Sequence, residues 1–210
     1  MTGNKLKYYL SSARFNVYLA QAGNDFGKAY RLYKANIELS EAFYPVLSVL
    51  EICLRNAVNE QLKVHFNDPY WFKNHLPTEF RPFIEEAERK ILSQYKTITA
   101  DKIIAELNFG FWNRLFNRNY TELLWKSLRL IFKNIPKRLR RRDTVADHLY
   151  RIRKLRNRVY HYEPIFRNIG DIEKQYHEMI CFITWLDKDL TKLLEDIDRF
   201  KEISSKARAI

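Results

Sequence analysis

Apolar residues recur along this chain at intervals of three and four, the spacing that lays one stripe down the side of an α-helix. The clearest run lies near the end: Ile172, Tyr176, Met179, Ile183, Leu186, Leu190, Leu193, Ile197 and Phe200. This seam predicts one long C-terminal helix, packed on its own domain or paired with a second chain as a coiled coil. Helical spacing also predicts helices over 4–22, 25–40 and 41–66, with Gly23 as a stop, Asn24 or Asp25 as the next cap, and Pro45 tolerated in the first turn of the third. Pro69, Pro77 and Pro82 then interrupt the pattern, and Tyr70, Trp71 and Phe72 are expected to pack that connection down. Helices over 78–96, from a Thr78 cap, 99–116 and 120–132 follow. Pro136 opens a loop, Asp143 or Thr144 caps a helix running to Tyr160, and Pro164 ends it. No stretch alternates at period two for long enough to make a sheet. The expected class is therefore all-α, a multi-helix bundle read as a single domain over residues 1–210.

One polar residue breaks the stripe of the third helix. With Leu47 at zero on a wheel of about 100° per residue, Leu50, Leu54, Val58 and Leu62 fall within about 60° of it, and Glu51 falls among them at about 40°. Arg55 sits at the edge. A carboxylate aimed into a core is costly unless paired. Glu51 is read either as one half of a pair with Arg55, one turn on, or as a support for polar groups elsewhere.

Composition narrows the class further. Five glycines, six prolines and 46% hydrophobic residues in 210 describe an ordered chain long enough for a well-buried core. No apolar run reaches the length of a signal-peptide core or a membrane span, so a cytoplasmic protein with no membrane partner is expected. Cys53 and Cys181 are isolated, which suggests buried thiols rather than a disulfide or a zinc site. The net charge of +12 is uneven: residues 133–158 hold 11 basic against two acidic residues. Lys137, Arg138, Arg140, Arg141, Arg142, Arg151, Arg153, Lys154 and Arg158 are the candidates for contacting phosphates, as polyanion binding rests largely on such charges. A solvated helix face and loop is the alternative.

That basic run leads into Leu155-Arg156-Asn157-Arg158-Val159-Tyr160-His161-Tyr162-Glu163-Pro164-Ile165. Arg156 offers a permanent cation with a planar fork of donors suited to phosphate oxygens. His161 is the side-chain type best placed to move a proton near neutral pH. A phosphate-binding cation beside a proton shuttle is a minimal kit for cutting RNA without a metal or cofactor. Other enzyme classes find little support: there is no Gly-Lys-Ser/Thr loop and no Gly-x-Gly-x-x-Gly. His65, His75, His148 and His177 lack metal-ligand spacing and read as surface or packing residues.

The segment resembles the signature of the HEPN superfamily (higher eukaryotes and prokaryotes nucleotide-binding), an arginine, a polar residue and a histidine, here Arg156, Asn157 and His161. The Glu163-Pro164-Ile165 ending resembles the Abi-like, abortive-infection branch. So do the stretch from Leu32-Tyr33-Lys34-Ala35-Asn36 through Glu51-Ile52-Cys53-Leu54-Arg55-Asn56-Ala57, and Leu107-Asn108-Phe109-Gly110-Phe111-Trp112. Together these span roughly residues 10 to 200. The resemblance implies a HEPN-type helical bundle and a metal-independent endoribonuclease of an abortive-infection or toxin–antitoxin system. Arg156, Asn157 and His161 would be catalytic, with Glu51, Arg55 and Tyr160 in support, acting on RNA. It also implies a homodimer, because Arg156 and His161 lie roughly 140° apart around one helix and the family joins two such helices in one cleft. Tyr160 and Tyr162 would rim the approach of the two copies. An antitoxin protein is a further partner the resemblance allows. In some HEPN toxins such a partner modifies a tyrosine two residues after the histidine; this chain has Glu163 there, with Tyr160 and Tyr162 flanking His161. A non-catalytic RNA- or protein-binding HEPN module in phage defence is the other reading.

Overall fold

The computed structural model describes residues 3–165 and 168–210, and it contains no strand among them. In chain order its α-helices are α1 (Gly3–Leu10), α2 (Ser12–Gln21), α3 (Phe26–Ala42), α4 (Tyr44–Phe66), α5 (Trp71–Asn74), α6 (Arg81–Ser93), α7 (Ala100–Glu106), α8 (Phe109–Arg114), α9 (Lys126–Leu128), α10 (Arg142–Tyr160), α11 (Ile169–Leu186) and α12 (Phe200–Arg208). The protein is an all-α, multi-helix chain, and no helix of the described residues is long and apolar enough to cross a membrane. Two compact units are formed, one from residues 1–48, 154–181 and 192–210, the other from residues 49–153 and 182–191.

In the first unit α3 packs against both α2 and α12. Asp25 starts α3 by accepting from the Lys28 N–H at 2.9 Å, and Gly23, at φ +63°, lets the chain turn into it. The predicted helix over 4–22 is instead two, because Ser11 adopts φ 65° and its hydroxyl accepts from the Arg14 N–H at 3.3 Å, opening α2. Helix α3 buries Ala29, Leu32, Ala35, Asn36, Leu39 and Ala42. Around its end Phe43, Tyr176 and Phe200 form an aromatic core, with the Tyr176 and Phe200 rings stacked 3.9 Å apart and the Tyr176 hydroxyl bonded to Asp198. Burial first, and the Asp198 carboxylate second, push the Tyr176 phenol far above its ordinary range.

The second unit is centred on α4, whose Leu50, Leu54, Val58 and Leu62 are wholly buried. Pro45 stands in its first turn, as the pattern required. Glu51, expected inside that core, is half-buried, and so is Arg55: a carboxylate that keeps part of its surface in water avoids most of the desolvation cost. Trp71 and Phe72 are buried, the Trp71 Nε1–H donating to Asn59 Oδ1 at 3.0 Å, whereas Tyr70 stays exposed. The predicted helix over 78–96 is a 3₁₀ turn, Thr78–Phe80, followed by α6 with Pro82 near its start and no Thr78 side-chain cap. Thr99 caps α7, but 99–116 breaks at Leu107 because Asn108 accepts from the Phe111 N–H at 3.1 Å and starts α8. Residues 120–132 form a π turn, the short α9 and a 3₁₀ turn.

The long C-terminal helix is divided. Asp187 ends α11 by accepting, through Oδ1, from the Asp189 N–H at 3.1 Å, and Lys188–Leu194 continues as 3₁₀. Asp196 then takes φ 65°, and the Asp198 carboxylate accepts from the Phe200 N–H at 2.9 Å at the start of α12. The apolar seam is buried from Ile172 to Leu186, while Leu193 and Ile197 are exposed at 54% and 52%. Nor are both thiols buried: Cys53 is half-buried, its pKa raised by desolvation, and Cys181 is exposed.

Candidate active site at the end of α10

Helix α10 stops in a way that fixes the backbone around His161. The Tyr162 N–H bonds to the Val159 carbonyl at 3.1 Å, and the Glu163 N–H reaches back to the Arg158 carbonyl at 2.9 Å. Those two bonds, with Tyr162 at φ 57°, make a Schellman ending in which a tyrosine holds the left-handed place usually given to glycine. His161 is the cap residue, its N–H bonded to the Asn157 carbonyl at 2.9 Å and its side chain exposed. Pro164 therefore follows the stop rather than imposing it.

The predicted residues of the first unit cluster here. The Arg156 guanidinium lies 4.3 Å over the Tyr160 ring, within cation–π range. Asn157 is half-buried on the same turn. Arg158 donates to the Pro164 carbonyl and approaches the Glu163 carboxylate at 3.8 Å, a structural use of a residue expected to bind phosphate. Lys154 is exposed. Glu51 and Arg55 belong to the other unit, where Arg55 donates to Asn56 Oδ1 at 3.1 Å and to the Ala105 carbonyl at 3.5 Å.

Two residues join the site that sequence reasoning did not assign to it. Asn36 on α3 is only 4% exposed; its Oδ1 accepts from the Ile165 N–H at 2.7 Å and its Nδ2 donates to the Glu163 carbonyl at 3.4 Å. It clamps the Glu163-Pro164-Ile165 segment. A signal was present: on the α3 wheel, taking Leu32 as zero, Asn36 falls at about 40°, among Leu39, Ala35 and Ala29. Arg14, from α2, donates to the His161 carbonyl at 3.5 Å and brings a second exposed cation to the helix end. Behind it Tyr18 is buried; burial pushes its phenol up to about 12, Tyr33 adds to the rise, and Arg14 and Arg158 oppose it.

Beside this helix end lies an open cleft of about 630 Å³, bounded by α2, α3, the first residue of α4 and the α10 terminus. Tyr160 and Tyr162 line it, with Tyr33, Tyr44, Arg14 and Glu41, while Arg156, Asn157 and His161 are outside its lining.

The basic stretch of the second unit is partly committed to its own loop. Arg141 forks onto Asp143 at 3.2 and 2.6 Å, Arg142 donates to the Phe116 carbonyl at 3.0 Å, and Arg140 to the Lys133 and Ile135 carbonyls, both at 3.5 Å. Arg153 lies against Gly110, near enough that a Cβ there would meet its guanidinium at 3.7 Å. Lys137, Arg138 and Arg151 are exposed. The other histidines pack locally, His148 beside Trp185 at 4.7 Å and His75 stacked on Phe66 at 4.5 Å. Among the described residues no three His, Cys, Asp or Glu side chains converge as a metal set. No family model matches the chain, and no curated protein or solved structure is significantly similar to it.

Proposed function

We propose that this chain is a metal-independent endoribonuclease of the HEPN, Abi-like type, acting in an abortive-infection or toxin–antitoxin system as a homodimer. The observation that carries the reading is the rigid presentation of His161: an exposed imidazole on a cap whose backbone is held by the Schellman bonds, by Arg14 and, through Ile165, by Asn36. In the reaction one base removes the ribose 2′-hydroxyl proton as that oxygen attacks the adjacent phosphorus. The bond to the 5′-oxygen breaks, and the leaving oxygen takes a proton. His161 serves as base or acid, and a cation such as Arg156 offsets charge growing on the non-bridging oxygens. Asn157 orients the neighbouring groups. Two copies of the helix end would supply two histidines and two arginines, and a two-fold pairing is the simplest way to bring them together.

Total cellular RNA incubated in EDTA tests it. Wild-type protein should leave 2′,3′-cyclic phosphate and 5′-hydroxyl ends and spare DNA. His161→Ala should abolish cleavage with an unchanged thermal midpoint, and Arg156→Ala should abolish it with the fold retained and a midpoint lowered by the loss of its packing on Tyr160. Undiminished cleavage in a clean His161→Ala preparation would refute the assignment. The packing of Arg156 on Tyr160 favours a second reading, a binding module that retains RNA without cutting it, and the same assay decides between them.

A further inference from the structure

We propose that the cleft beside His161 is a nucleobase subsite selecting a guanine of single-stranded RNA; this rests on the RNA-cleaving reading and names what that site would hold. At about 630 Å³ the cleft falls within the roughly 300–1,000 Å³ of small-ligand sites. Its walls are aromatic and accessible: Tyr44, Tyr160 and Tyr162 are 61%, 40% and 76% exposed. Stacking on such rings is how proteins hold unpaired bases, whatever the base.

Charge then orients the nucleotide. Arg14 marks the His161 side of the cleft, its guanidinium on the His161 carbonyl at 3.5 Å. Glu41 lies two turns beyond Tyr33 on α3, about 12 Å along the helix axis, exposed and also lining the cleft. Arg199, whose charge Glu41 helps to stabilise, forms its own ion pair with Glu202 at 3.3 Å, and a base at Glu41 would share the carboxylate with that cation. A phosphate is drawn to Arg14 and repelled by Glu41, so the base must point towards Glu41. A carboxylate only accepts hydrogen bonds, and two parallel donors suit it best. Guanine alone among the four bases presents adjacent N1–H and N2–H donors. Adenine and cytosine present one amino group, and uracil a single N–H flanked by carbonyls that a carboxylate repels.

Binding of 2′-O-methyl hexanucleotides, which lack the attacking hydroxyl, separates the subsite from catalysis. A hexamer carrying one guanine in uracil should bind wild-type protein about ten-fold tighter than hexauridine, the discrimination typical of a bidentate base contact. Glu41→Gln should erase that preference, with hexauridine binding held or tightened because the charge that repels phosphate and the uracil carbonyls is gone. Tyr44→Ala should weaken both hexamers by a similar factor, at least about five-fold, as expected when a stacked base is deprived of its platform. Equal binding of both hexamers to wild type, or a preference that survives Glu41→Gln, would overturn the subsite. So would a drop in particle mass by light scattering on Tyr44→Ala, which would make the cleft a contact between copies. If ordinary RNA is cleaved without base preference, the subsite fails and the ribonuclease stands. If guanine is preferred but ordinary RNA stays intact, the subsite stands and the ribonuclease fails.

Discussion

Replacing Asn36 with alanine tests whether the helix end is held from α3. The substitution removes the acceptor at 2.7 Å from the Ile165 N–H and the donor at 3.4 Å from the Glu163 carbonyl. Their costs differ. Ile165 is 2% exposed, so its N–H loses its partner without regaining water, whereas Glu163 is exposed and its carbonyl can be hydrated. A buried donor left unpaired costs about 1–3 kcal/mol, and the hydrated carbonyl adds little. For a chain of this length that is a fall in thermal midpoint of about 2–12 °C. Urea unfolding supplies the free energy, and hydrogen exchange at the Ile165 amide supplies the location, since that amide should lose protection while the Leu54 amide on α4 changes only with global stability. Asn36→Asp is a second probe: it discards the donor and buries a carboxylate against the Glu163 carbonyl, so at neutral pH it should destabilise at least as much as Asn36→Ala, and less at acid pH where the carboxyl is protonated. A change of only a few tenths of a kcal/mol in Asn36→Ala, with Ile165 still protected, would show that the segment is held by something else.

Three further outcomes follow from the same structure. In Gly110→Ala the new Cβ would stand 2.9 Å from Asn108 Oδ1, so the α8 cap must yield, and urea melts should report a loss of about 0.5–2 kcal/mol. The Tyr18 phenol is raised to about 12 in the folded state from an ordinary 10.0; the unfolded chain therefore releases this proton first, and stability complete below pH 10 should fall between pH 10 and about 12. Tyr18→Phe should flatten that decline by up to roughly 2–3 kcal/mol in melts across this range. Reversing Lys137 and Arg138 to glutamate should lower the slope of log affinity against log salt for single-stranded RNA by about 1.4, or about 0.7 for each phosphate no longer neutralised, with no change in thermal midpoint. An unchanged slope would assign these two side chains to solvent alone.

Much of the fold could be read from spacing and caps because both are local. Asp25 and Thr99 start helices where a short polar side chain precedes an apolar run, and Leu50, Leu54, Val58 and Leu62 are buried as the wheel required. The breaks at Ser11, Asn108 and Asp187 were not legible, and they share one cause. Each is a short polar side chain that bonds a backbone N–H two or three residues on, offering the chain an alternative to the next helical turn. Such residues also sit harmlessly on the wet face of uninterrupted helices. The apolar period runs straight through all three breaks, since it records which side is buried and not whether the backbone is continuous.

The site shows the same division between what charge and spacing reveal and what only packing can. Arg156, Asn157 and His161 were evident as residue types, but their setting depends on Asn36, 125 positions before His161 in the chain. Reading Glu51 as the polar exception in an apolar stripe used the right logic on one helix; applied to α3 it would have singled out Asn36, the more buried of the two. In the basic stretch, bonding within the fold matters as well as the number of cations. Counting cations treats every arginine as available, yet Arg140, Arg141 and Arg158 spend donors on carbonyls and carboxylates of their own loops, and Arg142 on the Phe116 carbonyl. A guanidinium has five donors, so such a residue can still meet a phosphate, but its position is then set by the fold. Arginines bonded in this way carry their charge at set positions, while Lys137 and Arg138 stand exposed. Affinity for a polyanion should therefore depend on few residues and its geometry on many, which is why single reversals at 140–142 are expected to damage the fold before they report on binding.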